Sequence, residues 1–268
     1  MASEMRNEEV LDKIERFDRI LVGIGEEFDE SGRLRQKPQY ADGCGRLKSA
    51  DCDWLIPAWN DFWREKLGDG NAAAALERLA ELLEGKNVFA VSTSVNSKIA
   101  ASGIRTVMPC GTGVKKQCVK GCGEVIQNVS EEEHNRLWQA FEMLADKKEA
   151  FCEKLQEMCC LGTCPKCGAP LVLNTVYAEN YNEHGYLEQW NAYTKWLQGT
   201  LNHKLLVLEL GVGMQFPSVI RWPFEKVVFF NQKAFLCRVN EKLYQLTEEL
   251  AGKGCGISMN AIDWLKQL

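Results

Sequence analysis

Histidine is scarce in this chain: three residues in 268. His134, His184 and His203 stand apart from the cysteine pairs and read as solvated surface residues. Long apolar runs are missing as well. Stretches such as KLLVLELGVG (204–213) fall well short of the roughly 20 residues a membrane-spanning helix needs. There is no Lys/Arg-rich run and no basic patch interleaved with aromatics, and the net charge is −5. Phosphate neutralisation needs clustered cations, so their absence weighs against nucleic acid as the main partner. The N-terminus, MASEMRNEEVLDKIERF, has no apolar core followed by a small-residue cleavage site, so it does not read as a secretory signal. No internal repeat or low-complexity tract is present. The expectation is a cytoplasmic protein with neither a membrane nor a nucleic-acid partner.

Hydrophobic residues make up 46% and charged residues 26% of the chain, an ordinary globular balance. The length favours one α/β body with a smaller attachment. Cysteine is plentiful, at twelve. In a reducing compartment disulfides are rare, so close pairs of cysteines read as metal ligands or core residues.

Apolar spacing predicts a helix over 5–17, then a buried strand RILVGIG (19–25) ending in Gly-x-Gly. Residues 26–52 are polar and weakly periodic and read as a long loop, with at most a short helix. A tryptophan-rich helix pair is expected over 53–67 and a capped helix over 71–85. Next come a strand at 87–93 and a short helix reaching Gly103. Ser130 and Glu133 form a capping box that opens a long helix to 158. A further helix covers 185–202. The last third reads as strands at 204–213, 226–231 and 234–240, then helices at 243–252 and 260–267. Near-continuous apolar strands alternating with helices predict a Rossmann-like parallel sheet with helices on both faces.

Two cysteine pairs carry the metal chemistry. Cys118 and Cys122 bracket three residues, Cys164 and Cys167 bracket two, and 41 residues separate Cys122 from Cys164. Four thiolates and no histidine predict a closed, structural zinc site rather than a catalytic one. The inserted helix accounts for the long gap. Cys159 and Cys160 lie close enough to Cys164 for one of them to replace a ligand.

In a parallel sheet the ligand sits beyond the carboxyl ends of the strands. Here those ends read GIG (23–25), STS (92–94), ELGVG (209–213) and RVN (238–240). Glycines and small polar groups there let a phosphate or ribose approach the backbone.

In order, the Gly-x-Gly strand end, STSVN, the two cysteine pairs, LLVLELGVGMQFPSVIRWPFE (205–225) and Arg238-Val239-Asn240 resemble the sirtuin family, and the bacterial macrodomain-linked branch most. The resemblance runs over roughly 18–25 and 87–240. It implies a sirtuin (DHS-like NAD-binding) fold: a Rossmann-like domain from 1–104 and 200–268, and a small zinc-binding domain from 105–199 with an inserted helix. It implies NAD as co-substrate and zinc held by Cys118, Cys122, Cys164 and Cys167. Gly23 and Gly25 would approach the pyrophosphate, Gly211 and Gly213 would line the site from the other side, and Val239 and Asn240 would lie near the adenosine.

The chemistry departs from the family at three places. Sirtuins have an Asn and an Asp after the second strand, where this chain has Ser94 and Asn96. Asn96 can hydrogen-bond but supplies no negative charge. The family's base position, a His or in the macrodomain-linked branch a Gln, is Cys110. After the first glycine turn come Glu26 and Glu27, which would repel a pyrophosphate, with Arg33 and Arg35 as partial compensation.

Two functions remain open on this footing. One is an NAD-consuming enzyme (protein ADP-ribosyltransferase, deacylase or NAD hydrolase) in which Cys110 is base or nucleophile and Ser94 and Asn96 position the ribose, with an acylated or ADP-ribose-accepting protein as partner. The other is an inactive sirtuin-fold module that binds a nucleotide (NAD or ADP-ribose) or a partner protein, with WNDFW (59–63) or Tyr186, Trp190, Tyr193 and Trp196 offering an aromatic surface. Core packing is the commoner fate of such aromatics.

Overall fold

A computed structural model describes residues 6–68, 70–146 and 159–268. Six parallel strands form the main sheet: β1 (Arg19–Ile24), β2 (Asn87–Ser92), β3 (Thr106–Val107), β7 (Leu205–Leu210), β8 (Ala234–Val239) and β9 (Gly254–Ile257). Their order is β3-β2-β1-β7-β8-β9, with Gly23 level with Val91 on one side and Glu209 on the other. Alternation along β1 sorts its side chains between two apolar layers. Ile20, Val22 and Ile24 join Leu76, Leu79 and Trp264 on one face, and Leu21 joins Phe89, Val207 and Phe224 on the other. A central strand covered on both faces has few polar positions, which is why RILVGI reads as a continuous apolar run.

Helices supply the covering layers. On the first face lie α1 (Asn7–Arg16), α5 (Asn71–Leu82) and α10 (Ala261–Leu265). On the second lie α8 (Leu187–Gln198) and α9 (Arg221–Phe230). Met5, the first residue of the predicted N-terminal helix, lies outside the described residues.

A second sheet is antiparallel, in the order β5 (Ile126–Asn128), β4 (Gly111–Cys118), β6 (Leu171–Thr175). Its core also takes in α3 (Pro38–Ser49), α4 (Ile56–Lys66) and α7 (Glu131–Ala145), with Leu47, Trp59, Phe62, Phe141 and Leu173 in contact. Trp59 is fully buried, its ring stacked on Phe62 at 5.4 Å and edge-on to Phe141 at 5.3 Å. The capping box at Ser130 forms both of its hydrogen bonds. The predicted continuation of that helix over 147–158 lies outside the described residues.

Three predicted elements differ. The stretch 226–231, read as a strand, lies in helix α9, which ends at Phe230. Neighbouring parallel strands need a crossover connection, and α9 is the one between β7 and β8. Its buried residues Phe224 and Val228 sit one turn apart, a period that a short apolar run does not reveal. The helix expected over 243–252 is irregular chain with one 3-10 turn at Glu248–Leu250. Buried arginines take the carbonyls a helix would use: Arg221 donates to Leu243 O and Arg238 to Gln245 O. The expected loop over 26–52 is largely helical, with a 3-10 turn at Glu26–Asp29, α2 (Ser31–Leu34) and α3. The buried face of α3 is Tyr40, Gly43 and Leu47, and its glycine hides the helical period. A Cβ on Gly43 would stand 2.3 Å from the Trp59 ring.

The aromatic stretches are mostly interior. Trp59, Phe62, Trp63 and Tyr193 are buried, and Tyr186, Trp190 and Trp196 are half-buried against the second face of the main sheet. All three histidines are exposed. Among the described residues no helix is long and apolar enough to cross a membrane.

Candidate functional site

The chain leaves β1 for β2 on one side, while the neighbour on the other side, β7, leads away to β8. Diverging connections open a crevice at the carboxyl ends of β1 and β7, where ligands of open α/β sheets bind. The turns here are drawn together by the backbone. Gly25 N donates to Leu210 O, Gly211 N to Val239 O and Thr93 N to Ile24 O, at 2.8, 2.8 and 3.0 Å. A Cβ on Gly25 would lie 2.3 Å from Gly211 O, so the two turns touch only because a glycine is there. A cavity of about 560 Å³ opens beside them, lined by Glu26, Glu27, Glu30, Gly211, Gly213 and Asn240 among others.

Three amides in the turns around this cavity are already occupied by carboxylates. Glu26 Oε2 accepts the N–H of Gly213 at 2.6 Å. Glu27 accepts from Glu241 N at 2.9 Å and from Ala261 N at 2.7 Å. Gly211, at φ 63°, leaves room for the Glu27 stem. The two acidic side chains thus occupy donors of the kind a phosphate takes at strand and helix ends. Burial pushes the Glu27 carboxyl up, against the lowering effect of its two backbone donors. Arg33, expected to offset these charges, pairs with Glu30 at 3.2 Å, and Arg35 is exposed.

At the ends of β1 and β2 lies a buried polar group of residues, which meets the cavity lining through Asp29, the neighbour of Glu30 in sequence. Ser94 and Asn96 are fully buried. Asn96 Nδ2 donates to Phe28 O at 2.8 Å and Oδ1 accepts from Lys98 N, capping the short helix α6 (Ser97–Ala100). Both ends of its amide are therefore engaged within the chain. Ser94 Oγ donates to Asp29 Oδ1 at 2.6 Å, and Val95 N donates to the same oxygen at 3.0 Å. Arg64, ion-paired with Asp61, donates to the main-chain carbonyl of Asp29 at 2.8 Å. Burial pushes the Asp29 carboxyl up to about 6, although the Ser94 hydroxyl, the Arg64 charge and the Val95 N–H all favour its ionised form.

Asp29 is the residue that sequence reasoning missed. In GEEFDESGR it reads as one more surface acid, and its partner Ser94 stands 65 positions away. The signal was an acid shortly after the first glycine turn combined with the missing charge at Asn96.

Cys110 is 2% exposed, and its carbonyl accepts from Val176 N. Burial, reinforced by the charges of Glu26 and Asp29, pushes its thiol up to about 12. A base or nucleophile at this position would have to be the thiolate, and this environment keeps the group a thiol.

The remaining predicted nucleotide contacts are spread between the site and the core. Gly23 sits beneath α9, where a Cβ would meet Ile220 at 2.6 Å and Phe224 at 2.9 Å, so its bareness serves packing. Val239 is fully buried in the core. Asn240 lines the cavity while holding the turn after β8, donating to Val212 O and accepting from Lys242 N and Leu243 N.

At the far end of β4, the Sγ atoms of Cys118, Cys122, Cys164 and Cys167 all lie within 4.8 Å of one another. Cys167 Sγ is 3.6 Å from that of Cys118 and 3.4 Å from that of Cys122. Each pair is wound into a knuckle whose glycine has positive φ, Gly121 at 66° and Gly168 at 69°. Gly121 N donates to Cys118 O, and Gly168 N to Cys164 O. A tetrahedral ion with Zn–S near 2.3 Å places sulfurs about 3.8 Å apart, so the donor set fits zinc. Cys159, buried, and Cys160, exposed, stand outside the group.

No family model matches the sequence. A protein ADP-ribosyltransferase of Staphylococcus aureus (strain Mu50) is 23% identical over 261 residues, 88% of this chain and 78% of that protein. A probable bifunctional ADP-ribose hydrolase/ADP-ribosyltransferase of Fusarium oxysporum f. sp. cubense is 36% identical over 81 residues, 28% of this chain. The chain spans only 13% of the length of that second relative. Among solved structures, a Sir2 homologue in complex with NAD superposes with a TM-score of 0.56 at 13% identity, over 100% of this chain and 94% of that one. A sirtuin studied for its substrate affinity superposes with a TM-score of 0.55 at 14% identity, over 98% of each chain. A six-stranded parallel sheet with its crevice at the β1/β7 switch point, a second sheet carrying four clustered thiols, and likeness to these structures over nearly the whole length establish that the chain has the sirtuin fold.

Proposed function

We propose that this protein is a divergent sirtuin-like transferase that consumes NAD, moving ADP-ribose to an acceptor protein or to an acyl oxygen, with a catalytic set unlike that of a standard deacylase. The observation that carries this reading is the polar group buried at the carboxyl ends of β1 and β2. Asp29, Ser94, Thr93 and Asn96 are each no more than 8% exposed at the strand ends, with Asp29 next in sequence to Glu30, which lines the cavity, whereas a purely structural sheet end would be apolar. The likeness to a protein named as an ADP-ribosyltransferase adds support. In this reading Gly25, Gly211, Gly213 and Asn240 border the nucleotide, Ser94 and Asn96 hold the turn that meets the ribose, and Cys110 contributes a neutral thiol to the wall. Four thiolates from Cys118, Cys122, Cys164 and Cys167 would hold zinc. A closed four-sulfur site supplies folding energy and no reactive position.

The test is direct. Purified protein incubated with NAD and a mixture of acylated and unmodified acceptor proteins should release nicotinamide. No release above the protein-free rate overturns the reading.

A second reading, a nucleotide-binding module without turnover, is favoured by one observation: the family's acid and base positions hold Asn96, whose amide is engaged at both ends, and Cys110, a buried thiol. It predicts a rise in melting temperature with ADP-ribose and no nicotinamide release, because a ligand that binds only the folded state stabilises it.

A further inference from the structure

The transferase reading leaves the reaction without its negative charge. Breaking the C1′–nicotinamide bond of NAD leaves positive charge on the ribose, and an anionic group close by lowers that barrier. The sequence has no acid at Asn96, and the Asn96 amide is engaged at both ends. Cys110 is a thiol in an acidic, buried setting. Glu26 Oε2 is engaged by Gly213 N, and its Oε1 is buried with no partner among the described residues.

Asp29 is different. Both hydrogen bonds to its carboxylate fall on Oδ1, from Ser94 Oγ and Val95 N. Among the described residues no hydrogen bond reaches Oδ2, and Oδ2 is not among the polar atoms sealed from solvent. The carboxylate is thus aligned by one oxygen and free at the other. It reaches the turn after β2 from the segment after β1, one residue before Glu30, which lines the cavity.

We propose that Asp29 supplies the carboxylate of the transfer reaction, replacing in space the acid that Asn96 lacks in sequence. The proposal rests on the transferase reading. In the step, the C1′–N bond breaks and its electron pair leaves with nicotinamide. A lone pair of the acceptor's hydroxyl, amine or acyl oxygen forms the new bond to C1′. Oδ2 of Asp29 faces the developing ribosyl cation, takes the proton released by an acceptor that carries one, and later gives it to solvent. The charged and titratable groups acting on this carboxylate are Arg64, Glu26, Cys110 and Tyr177, with Ser94 as its hydrogen-bond donor.

The experiment is nicotinamide release from NAD between pH 5 and 8, for the wild type, Asp29→Asn and Ser94→Ala, with the melting temperature of each. The expected result is a wild-type rate that climbs as pH rises through about 6, where Asp29 ionises. Asp29→Asn should lose roughly 100-fold or more at pH 7.5, the usual size of a proton-transfer contribution. Ser94→Ala removes a bond that favours the ionised form and should move the climb to higher pH, which a merely structural role would not do. An Asp29→Asn protein within about threefold of wild type overturns the inference and leaves the transferase reading standing. A wild type that releases no nicotinamide overturns both. If Asp29→Asn does not fold, the wild-type profile decides: a climb near pH 6 that moves in Ser94→Ala supports the role, and a flat profile overturns it.

Discussion

Glu26 Oε2 lies 2.6 Å from the amide nitrogen of Gly213 and accepts its hydrogen bond across 187 residues of sequence. Glu27 does the same for Glu241 and Ala261. A diphosphate entering this crevice meets carboxylates where bare N–H groups are expected. Neutralising or shortening these side chains should therefore help an anion to bind. Glu26→Ala and Glu27→Ala are each expected to tighten ADP-ribose binding by roughly tenfold, about 1.4 kcal/mol. Titration calorimetry checks this, and equal or weaker binding in both variants counts against the anion-mimic view.

The acidic crevice should also respond to pH. Burial raises the Glu27 carboxyl, so the folded protein binds a proton there at a pH where a free glutamate would not. As pH falls through that raised value, a negative charge beside the nucleotide disappears. ADP-ribose affinity should improve on acidification below neutrality in the wild type and change less in Glu27→Gln. A parallel pH response in both proteins would assign the effect to another group.

Asp29 carries a stability consequence of its own. Its carboxyl stands at about 6 in the fold against an ordinary 3.8, so the folded state binds the proton more tightly than the unfolded chain. Its contribution is most favourable below the unfolded value and is lost as pH rises through the folded one. Two units correspond to on the order of 3 kcal/mol. The melting temperature of Asp29→Asn should therefore gain on that of wild type between pH 4 and pH 7. A constant difference across that window would mean that Asp29 titrates normally.

For the thiol cluster, metal analysis should return about one zinc per chain. Chelation should lower the melting temperature, and Cys167→Ser should reduce the bound metal, because breaking a closed four-thiolate site removes folding energy. Cys160→Ser, which alters an exposed cysteine outside the group, should change neither.

Gly43 tests the helical reading of 38–49. A methyl there would sit 2.3 Å from the Trp59 indole, a fully buried ring held by Phe62 and Phe141. Gly43→Ala should cost about 1–3 kcal/mol through overpacking. Denaturant unfolding measures this, and a neutral or stabilising result would mean that the helix and the ring are not in contact.

Several features were legible in the residues. RILVGI, NVFAVS and LLVLEL read as buried strands, because a strand covered on both faces leaves little room for polar side chains. The four zinc-type cysteines were legible because knuckle spacing is local, and the capping box at Ser130 because its two bonds span three residues. The run KVVFFN was not legible, since its apolar residues suit a strand as well as a helix until the parallel pairing of β7 with β8 demands a crossover. Tyr40, Gly43 and Leu47 hid a helix because the middle contact is made by the absence of a side chain.

The sequence alone determined which segments alternate, where glycine lets turns come close, which thiols pair into knuckles and which family these features resemble, because each depends on residues a few positions apart. Tertiary structure alone decided the chemistry at the crevice. It put Glu26 and Glu27 on distant amides, closed both ends of the Asn96 amide, and brought the Asp29 carboxylate to Ser94. Burial and hydrogen bonding between residues tens to hundreds of positions apart set those charges, and such proximity exists only once the chain has folded.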